Sequence, residues 1–316
     1  MQNWQPTATL EAIKARAALL QQLRAFFAAR GVIEVETPIM ARYGVTDVNL
    51  EAITATFNAT EYYLQTSPEY AMKRLLAQHR CSMFQISKAF RNDESGRLHN
   101  PEFTILEWYR VGFDHFALMR EVDELLQLVL HTAPARQITY QDLFMEFLQV
   151  DPLVATSAEL QQCCIANGLD ISAPSSMEHD DWLSLLLTHC IEPKLQGRSP
   201  WMIYDYPRSQ AALARINPDN PTVAQRFEVY INGIELANGY HELGCHQQHR
   251  DRFNADNQQR QLQQKPQRGI DEYLLGALQA GLPDCAGVAL GFDRLLLLQL
   301  GAADLAAVIN FPINVA

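Results

Sequence analysis

Three stretches of this sequence hold residues whose types and spacing can do chemistry. The first is MFQISKAFRNDESGRLHNPEFTILEWYR, two alternating runs joined by a polar loop. Side chains alternate faces along a strand. Gln85, Ser87, Ala89 and Arg91 therefore share one side, and Phe84, Ile86, Lys88 and Phe90 the other. On the second run Glu107 and Tyr109 share a face, with Leu106 and Trp108 opposite. Small polar groups joined by a carboxylate, a phenol and an arginine form a platform for a ligand. A half-solvated sheet with a polar outer side gives the same pattern. The connection RNDESGRLHNP is long and charged, and loops of that kind carry function.

The second stretch is GIELANGYHELG. Glu235 and Glu242 stand seven residues apart, which puts them on opposite faces of an unbroken strand. Asn238-Gly239 between them is the expected bulge that would bring them together. Two carboxylates converging beside a nucleotide are what Mg²⁺ requires, since it takes oxygen ligands and borrows the rest from phosphates and water. The alternative is two solvated glutamates flanking a kink. The third stretch is GVALGFDRLLLLQLG, a strand that breaks at glycine into a helix. Gly291 would let an adenine or ribose lie against the backbone, and Arg294 would reach a terminal phosphate with its planar fork.

Positioning these groups takes a particular set of elements. Residues 9–30 read as an amphipathic helix through Ile13, Leu19, Leu20, Leu23, Phe26 and Phe27, ended by Gly31. Val32–Pro38 alternates as a strand stopped by proline. EYYLQ is a further strand, and Pro68 suits the first turn of a helix over residues 68–76. Met83–Phe90 and Glu102–Arg110 are the hairpin arms. Residues 115–200 read as mostly helical, with a capping box at Thr156, Ser157 and Glu159. Strands return at Trp201–Tyr206 and Arg226–Tyr230. Asn232-Gly233 makes a tight turn into a strand over Ile234–Glu242. A polar helical stretch (246–282), a strand at Ala286–Leu290 and a helix at Asp293–Gly301 complete the chain. Strands joined mainly by hairpins imply an antiparallel sheet flanked by helices, an α+β fold. We expect a single catalytic domain over 1–316 with a mostly helical insert at about 115–200.

The 316 residues are 48% hydrophobic and 19% charged, enough for a large core that needs no disulfide or metal. The net charge is −11, from 25 basic and 36 acidic residues, which argues against a chain built to grip nucleic acid. None of the six cysteines forms a CxxC pair, the N-terminus lacks a signal-peptide pattern, and no apolar run is long enough to cross a bilayer. A cytoplasmic protein with reduced thiols is the expectation. His241, Cys245, His246 and His249 cluster, but HELGCHQQH is not a zinc pattern. Cys163-Cys164 reads as buried helix surface, and Trp182, Leu185 and Leu186 as core.

Taken together, these segments resemble the class II aminoacyl-tRNA synthetases over roughly residues 9–316. GVIEVETPIM resembles motif 1. FRNDESGRLHNPEFTILEWY resembles motif 2 as lysyl-tRNA synthetases carry it, with HNPEFT highly specific. GVALGFDRL resembles motif 3. TSPEYAMKRLL and GIELANGYHEL resemble the amino-acid and magnesium segments. Motif 1 starts about thirty residues in, leaving no room for the anticodon-reading barrel of lysyl-tRNA synthetases. The sequence is more similar to truncated lysyl-tRNA synthetase paralogues that attach (R)-β-lysine to a lysine of translation elongation factor P.

The resemblance implies ATP as co-substrate, Mg²⁺, β-lysine as substrate, elongation factor P as acceptor and a homodimer. It implies that Arg91 grips the α-phosphate and carboxylate, and that Asn92, Asp93 and Asn100 contact ATP. Asp93 departs from the family's common glutamate. It assigns Ser67, Pro68, Glu69, Glu107 and Tyr109 to the amino-acid pocket, Glu235 and Leu236 to the nucleotide, and Glu242 to metal or substrate. Gly291 and Arg294 close the ATP site, and Ala289 stands where lysyl-tRNA synthetases usually have glycine. Leu19, Leu23, Phe26 and Ile33 are the expected dimer contacts. The competing readings are an enzyme charging tRNA or a small amine with lysine, and a non-catalytic regulator. The acidic balance and missing barrel count against the first. The joint presence of Arg91, Glu235, Glu242 and Arg294 counts against the second.

Overall fold

The structure is a computed structural model, described here for residues 4–92, 95–169, 177–197 and 199–316. In chain order its elements are α1 (Leu10–Ala28), β1 (Ile33–Glu34), β2 (Met40–Ala41), β3 (Thr54–Phe57), β4 (Thr60–Leu64), α2 (Glu69–His79), β5 (Met83–Phe90), β6 (Glu102–Val111), α3 (His115–Leu130), β7 (Arg136–Thr139), α4 (Tyr140–Leu148), α5 (Ser157–Ala166), α6 (His179–Leu186), β8 (Trp201–Pro207), β9 (Val223–Ile231), β10 (Ile234–His241), α7 (His246–Leu262), α8 (Glu272–Gly281), β11 (Cys285–Gly291) and α9 (Phe292–Leu300). They form two compact units, Met1–Phe113 with Leu243–Ala316, and Asp114–Glu242.

In the first unit β5, β6 and β11 run antiparallel in that order, and β1 borders β5 in parallel. The strand expected over Val32–Pro38 pairs only at Ile33 and Glu34, with one more bond from Val35 N to Phe84 O at 2.9 Å. Pro38 has no N–H to carry the ladder further. Helix α1 starts at Thr9, whose hydroxyl accepts from Ala12 N at 3.2 Å. It covers the bulky face of the sheet. Phe27 stacks on Phe84 at 4.4 Å and meets Trp108 edge-on at 5.3 Å. That packing buries Leu19, Leu23, Phe26 and Phe27 and leaves Ile13 exposed. Leu19, Leu23 and Phe26 are buried inside their own chain, so they are not the dimer contacts expected of them, while Ile33 stays 54% exposed.

Helix α2 lies toward the other face, where Met72 and Leu76 pack with Met83 and Tyr109. A second small sheet, in the order β2–β4–β3, is antiparallel throughout. The buried Arg260 of α7 ties down the segment before it, donating to Asp47 O at 2.8 Å and to Glu51 Oε1 at 2.5 Å. Arg268 takes the other Glu51 oxygen at 2.9 Å. Glu51 O in turn accepts from Asn92 N at 2.7 Å, so this anchor reaches the start of the hairpin loop.

In the second unit β8, β9 and β10 are antiparallel and β7 borders β8 in parallel. Asn232 and Gly233 both adopt positive φ, 54° and 69°, as the tight hairpin turn requires. The capping box forms, with Thr156 N donating to Glu159 Oε2 at 2.7 Å and Glu159 N to Thr156 Oγ1 at 3.3 Å. Tyr140, Phe144, Trp182, Leu186 and Tyr206 share one core with Cys164. The stretch read as mostly helical also holds strand β7, and this unit extends beyond it to Glu242. The β7 run is only Arg136–Thr139, too short to show an alternating pattern against the helices around it.

Candidate active site

Strand β6 is central in its sheet, so its odd-numbered side chains have neighbours on both sides. Glu107 lies opposite Gln85 on β5 and Ala289 on β11, and Tyr109 lies opposite Met83 and Gly287. These residues share one face. Glu107 is buried, at 2% exposure. The Ser67 hydroxyl donates to its Oε2 at 2.6 Å and the Tyr109 hydroxyl to its Oε1 at 2.7 Å. Ser67 Oγ also accepts from Glu69 N at 3.0 Å, which links the start of α2 to the sheet. Glu69 Oε1 in turn accepts from Lys73 Nζ at 2.6 Å. A largely apolar cavity of about 240 Å³ opens beside Ser67 and Pro68, walled by Tyr43, Tyr70 and Tyr273.

Arg91 leaves the end of β5. Its N–H donates to Pro101 O at 2.9 Å and its guanidinium sits 5.0 Å from the centre of the Phe103 ring. Asp93 lies outside the described residues. Asn100 is buried and tied to the backbone at both ends of its amide, donating to Glu102 O at 2.6 Å and accepting from Ile313 N at 2.9 Å. Those bonds give it a structural task that the resemblance did not indicate.

Motif 3 divides its work between neighbours. Asp293 is buried, accepts from Thr104 N at 2.6 Å and from the Arg16 guanidinium, and so fastens α9 to β6 and α1. Arg294 points instead to the hairpin loop, with Nη2 2.9 Å from His99 Nε2. Gly291 has φ −70°, and a Cβ built there would meet only the Arg294 side chain, no closer than 3.5 Å. The fold itself therefore accommodates a side chain at this position.

In the second unit the bulge sits at Leu236, between Glu235 and Ala237, not at Asn238-Gly239. Asn238 and Gly239 pair in regular register with Glu228 and Phe227. The pairing of the whole hairpin places the extra residue, and the turn-forming type of Asn-Gly does not attract it. The consequence expected of a bulge still follows. Glu235, Asn238 and Tyr240 stand opposite Tyr230, Glu228 and Arg226, on one face, and continued alternation puts Glu242 on that side. Leu236 is buried, at 2% exposure.

A second carboxylate network backs that face. Tyr206 and Tyr230 each donate to Glu228 Oε2 at 2.6 Å, and Arg226 donates to Oε1. Burial, then the Glu228 charge, push both phenols well above their usual range, so both stay donors. Burial, then Glu235 and Glu228, raise the Glu192 carboxyl to about 7.

The three motif segments thus sit on β1, the β5–β6 hairpin and the β11–α9 junction, with the fold's sheet beneath them. The sequence matches the family described as tRNA synthetases class II (D, K and N) over residues 3–315. The chain belongs to the class II tRNA synthetase family. Among synthetase-family relatives it is 50% identical over 98% of both chains to a protein of Vibrio cholerae named elongation factor P–(R)-β-lysine ligase. Proteins with the same name from Vibrio vulnificus and Salmonella typhi are each 48% identical, covering 99% of this chain and 99% and 98% of theirs.

Within this synthetase chain, Ser67, Glu69, Glu107 and Tyr109 are one bonded cluster, and Ala289 faces Glu107 across the sheet. Lys73 escaped notice, although its spacing of four from Glu69 on a helix was a signal for a pair. The Arg226–Glu228–Tyr230 alternation on β9 was equally readable as one polar face within an apolar strand.

Proposed function

We propose that this chain activates (R)-β-lysine with ATP and transfers it to a lysine side chain of elongation factor P in the cytoplasm. The observation that carries the reading is the buried Glu107, held by the Ser67 and Tyr109 hydroxyls on a sheet face floored by Gly287, Ala289 and Gly291. A buried carboxylate oriented by hydroxyl donors is suited to a substrate ammonium, and the small floor leaves space above it. Glycine at 291, where the fold would admit a side chain, fits a nucleotide lying on the backbone there. The near full-length relatives named as β-lysine ligases support the choice of substrate and acceptor.

In the first step a carboxylate oxygen of β-lysine attacks the α-phosphorus of ATP and pyrophosphate leaves. In the second the acceptor's amine attacks the carbonyl of the adenylate and AMP leaves. Arg91 and Arg294 bind phosphate oxygens with their forks and stabilise the charge that builds there. Ser67, Glu69, Glu107 and Tyr109 orient the diamine so that its carboxylate is aligned. Glu235 and Glu242, on one side of β10, suit a magnesium ion that completes its oxygen shell with phosphates and water. When bound, Mg²⁺ would neutralise phosphate charge.

The test is β-lysine-dependent ATP–pyrophosphate exchange together with intact-mass analysis of elongation factor P. Exchange and a mass gain of one β-lysyl group are expected. Charging of bulk tRNA with an unmodified factor would overturn the reading. No helix among the described residues is long and apolar enough to cross a membrane.

A further inference from the structure

We infer that Lys73 is a positioning residue for substrate recognition, holding Glu69 in the orientation in which it meets an ammonium group of the diamine. The inference rests on the proposed assignment of Glu69 to the amino-acid pocket and adds a residue behind it. Lys73 lies one turn after Glu69 on α2 and its side chain is entirely buried, at 0% exposure, whereas the Glu69 side chain keeps 21%. Its ammonium donates to Glu69 Oε1 at 2.6 Å. The charge of Lys73 is thus inside the protein, and the carboxylate it grips is at the boundary.

A fully buried ammonium is costly to keep, and a surface pair at this spacing contributes only a few tenths of a kcal/mol. Stability alone is a weak reason to place a lysine there. With no solvent at its ammonium, losing Glu69 would cost Lys73 a charged hydrogen bond that water cannot replace. Held from behind through Oε1, Glu69 has its rotamer fixed while Oε2 remains available to a ligand. Ser67 completes the fixation, because its hydroxyl accepts from Glu69 N at 3.0 Å while donating to Glu107. The two carboxylates of the pocket therefore hang on one connected frame.

His249 of α7 is buried beside Lys73, with Nδ1 3.1 Å from Cys245 O. A carbonyl only accepts, so Nδ1 carries the proton and Nε2 is a lone-pair acceptor. Burial, then the Lys73 charge, depress the His249 pKa to about 3, so it stays neutral wherever the enzyme works.

The experiment compares Lys73→Met, Lys73→Arg, Glu69→Gln and the Glu69→Gln/Lys73→Met pair by pyrophosphate exchange, with thermal melts of each. Lys73→Met should raise KM for β-lysine roughly ten- to hundredfold, the size of one charged hydrogen bond. KM for ATP and kcat should move by less than about threefold, and Lys73→Arg should recover most of the loss. On the Glu69→Gln background, Lys73→Met should add nothing. An equal KM increase on both backgrounds, or loss of kcat with KM unchanged, overturns the inference. Should Lys73→Met fail to fold, Lys73→Gln, which is shorter and uncharged, takes its place, and it should raise KM for β-lysine on the wild-type background and add nothing on Glu69→Gln. If Glu69→Gln itself leaves KM for β-lysine unchanged, it is the placement of Glu69 in the pocket that fails.

Discussion

The Ser67 hydroxyl donates to Glu107 Oε2 at 2.6 Å, joining the second residue before α2's start to the middle of the central strand. One charged hydrogen bond of this kind contributes about 1.5–3 kcal/mol. Ser67→Ala should therefore raise KM for the amino acid roughly ten- to hundredfold, with KM for ATP little changed. Tyr109→Phe, which removes the bond to Oε1, should behave alike. Exchange kinetics at varied amino acid check both, and an unchanged KM in the two variants would detach Glu107 from substrate.

Glu235→Gln and Glu242→Gln should each reduce adenylate formation by on the order of a hundredfold or more, because phosphate charge would go uncompensated. Their melting temperatures should fall far less. Measured across a magnesium titration, the loss should be partly recovered at high Mg²⁺. Exchange at the wild-type rate in both variants would remove the metal role from this pair.

Why some of this was legible and some not follows from particular residues. The β5–β6 hairpin was readable because alternation runs unbroken from Met83 to Phe90, and its pairing is regular throughout. The bulge was misplaced because Asn-Gly is a strong local turn signal, whereas Leu236 owes its irregularity to the register demanded by β9. Leu19 and Phe26 were misread because an apolar stripe shows that a helix face is covered but not by what. The anchoring of Asn100 was not legible because its partners, Glu102 O and Ile313 N, are backbone groups that no side-chain pattern reveals.

A homodimer remains the expected assembly, now through a different surface. Ile33, Ile39 and Met40 lie close in sequence and are 54%, 42% and 39% exposed, unlike the buried face of α1. A self-complementary contact through this edge would be two-fold. Light scattering at micromolar concentration should give twice 35.8 kDa, and Ile33→Glu should shift it toward the single-chain mass. A wild-type protein that scatters as one chain would end this prediction.

His115 supplies a pH dependence. It is buried at the start of α3, its ring 6.3 Å from that of His241, and neither ring nitrogen finds a hydrogen-bond partner among the described residues. Burial, opposed by Asp114 and aided by His241, lowers its pKa from 6.5 to about 4. The folded pKa is the lower one, so the unfolded chain binds the proton first as pH falls. The contribution is intact above about 6.5 and drains away toward 4. By pH 5 the loss amounts to roughly 2 kcal/mol. His115→Phe should flatten this part of the stability profile, read from urea midpoints at neutral pH and at pH 5. Equal acid losses in the two proteins would assign the profile to other groups.

The last prediction concerns which lysine is used. Ala289 stands directly across β6–β11 from Glu107, and two residues from each of the glycines at 287 and 291 on the same face. Its methyl stands on that floor between the two glycines, with Cys285 further along the same face, and the residue is only partly buried. One extra methyl in a packed site changes discrimination by about 1–3 kcal/mol, roughly tenfold to two-hundredfold. Close to Glu107, the carboxylate proposed to bind an ammonium, it would crowd an amino group on the α-carbon and tolerate one moved to the β-carbon. The wild type should therefore prefer (R)-β-lysine, and Ala289→Gly should relax that preference mainly by lowering KM for α-lysine. Exchange kinetics with both isomers on both proteins measure the ratio. If the glycine variant leaves that ratio where the wild type has it, the methyl is packing alone, and the choice of isomer must come from the frame around Glu69 and Glu107.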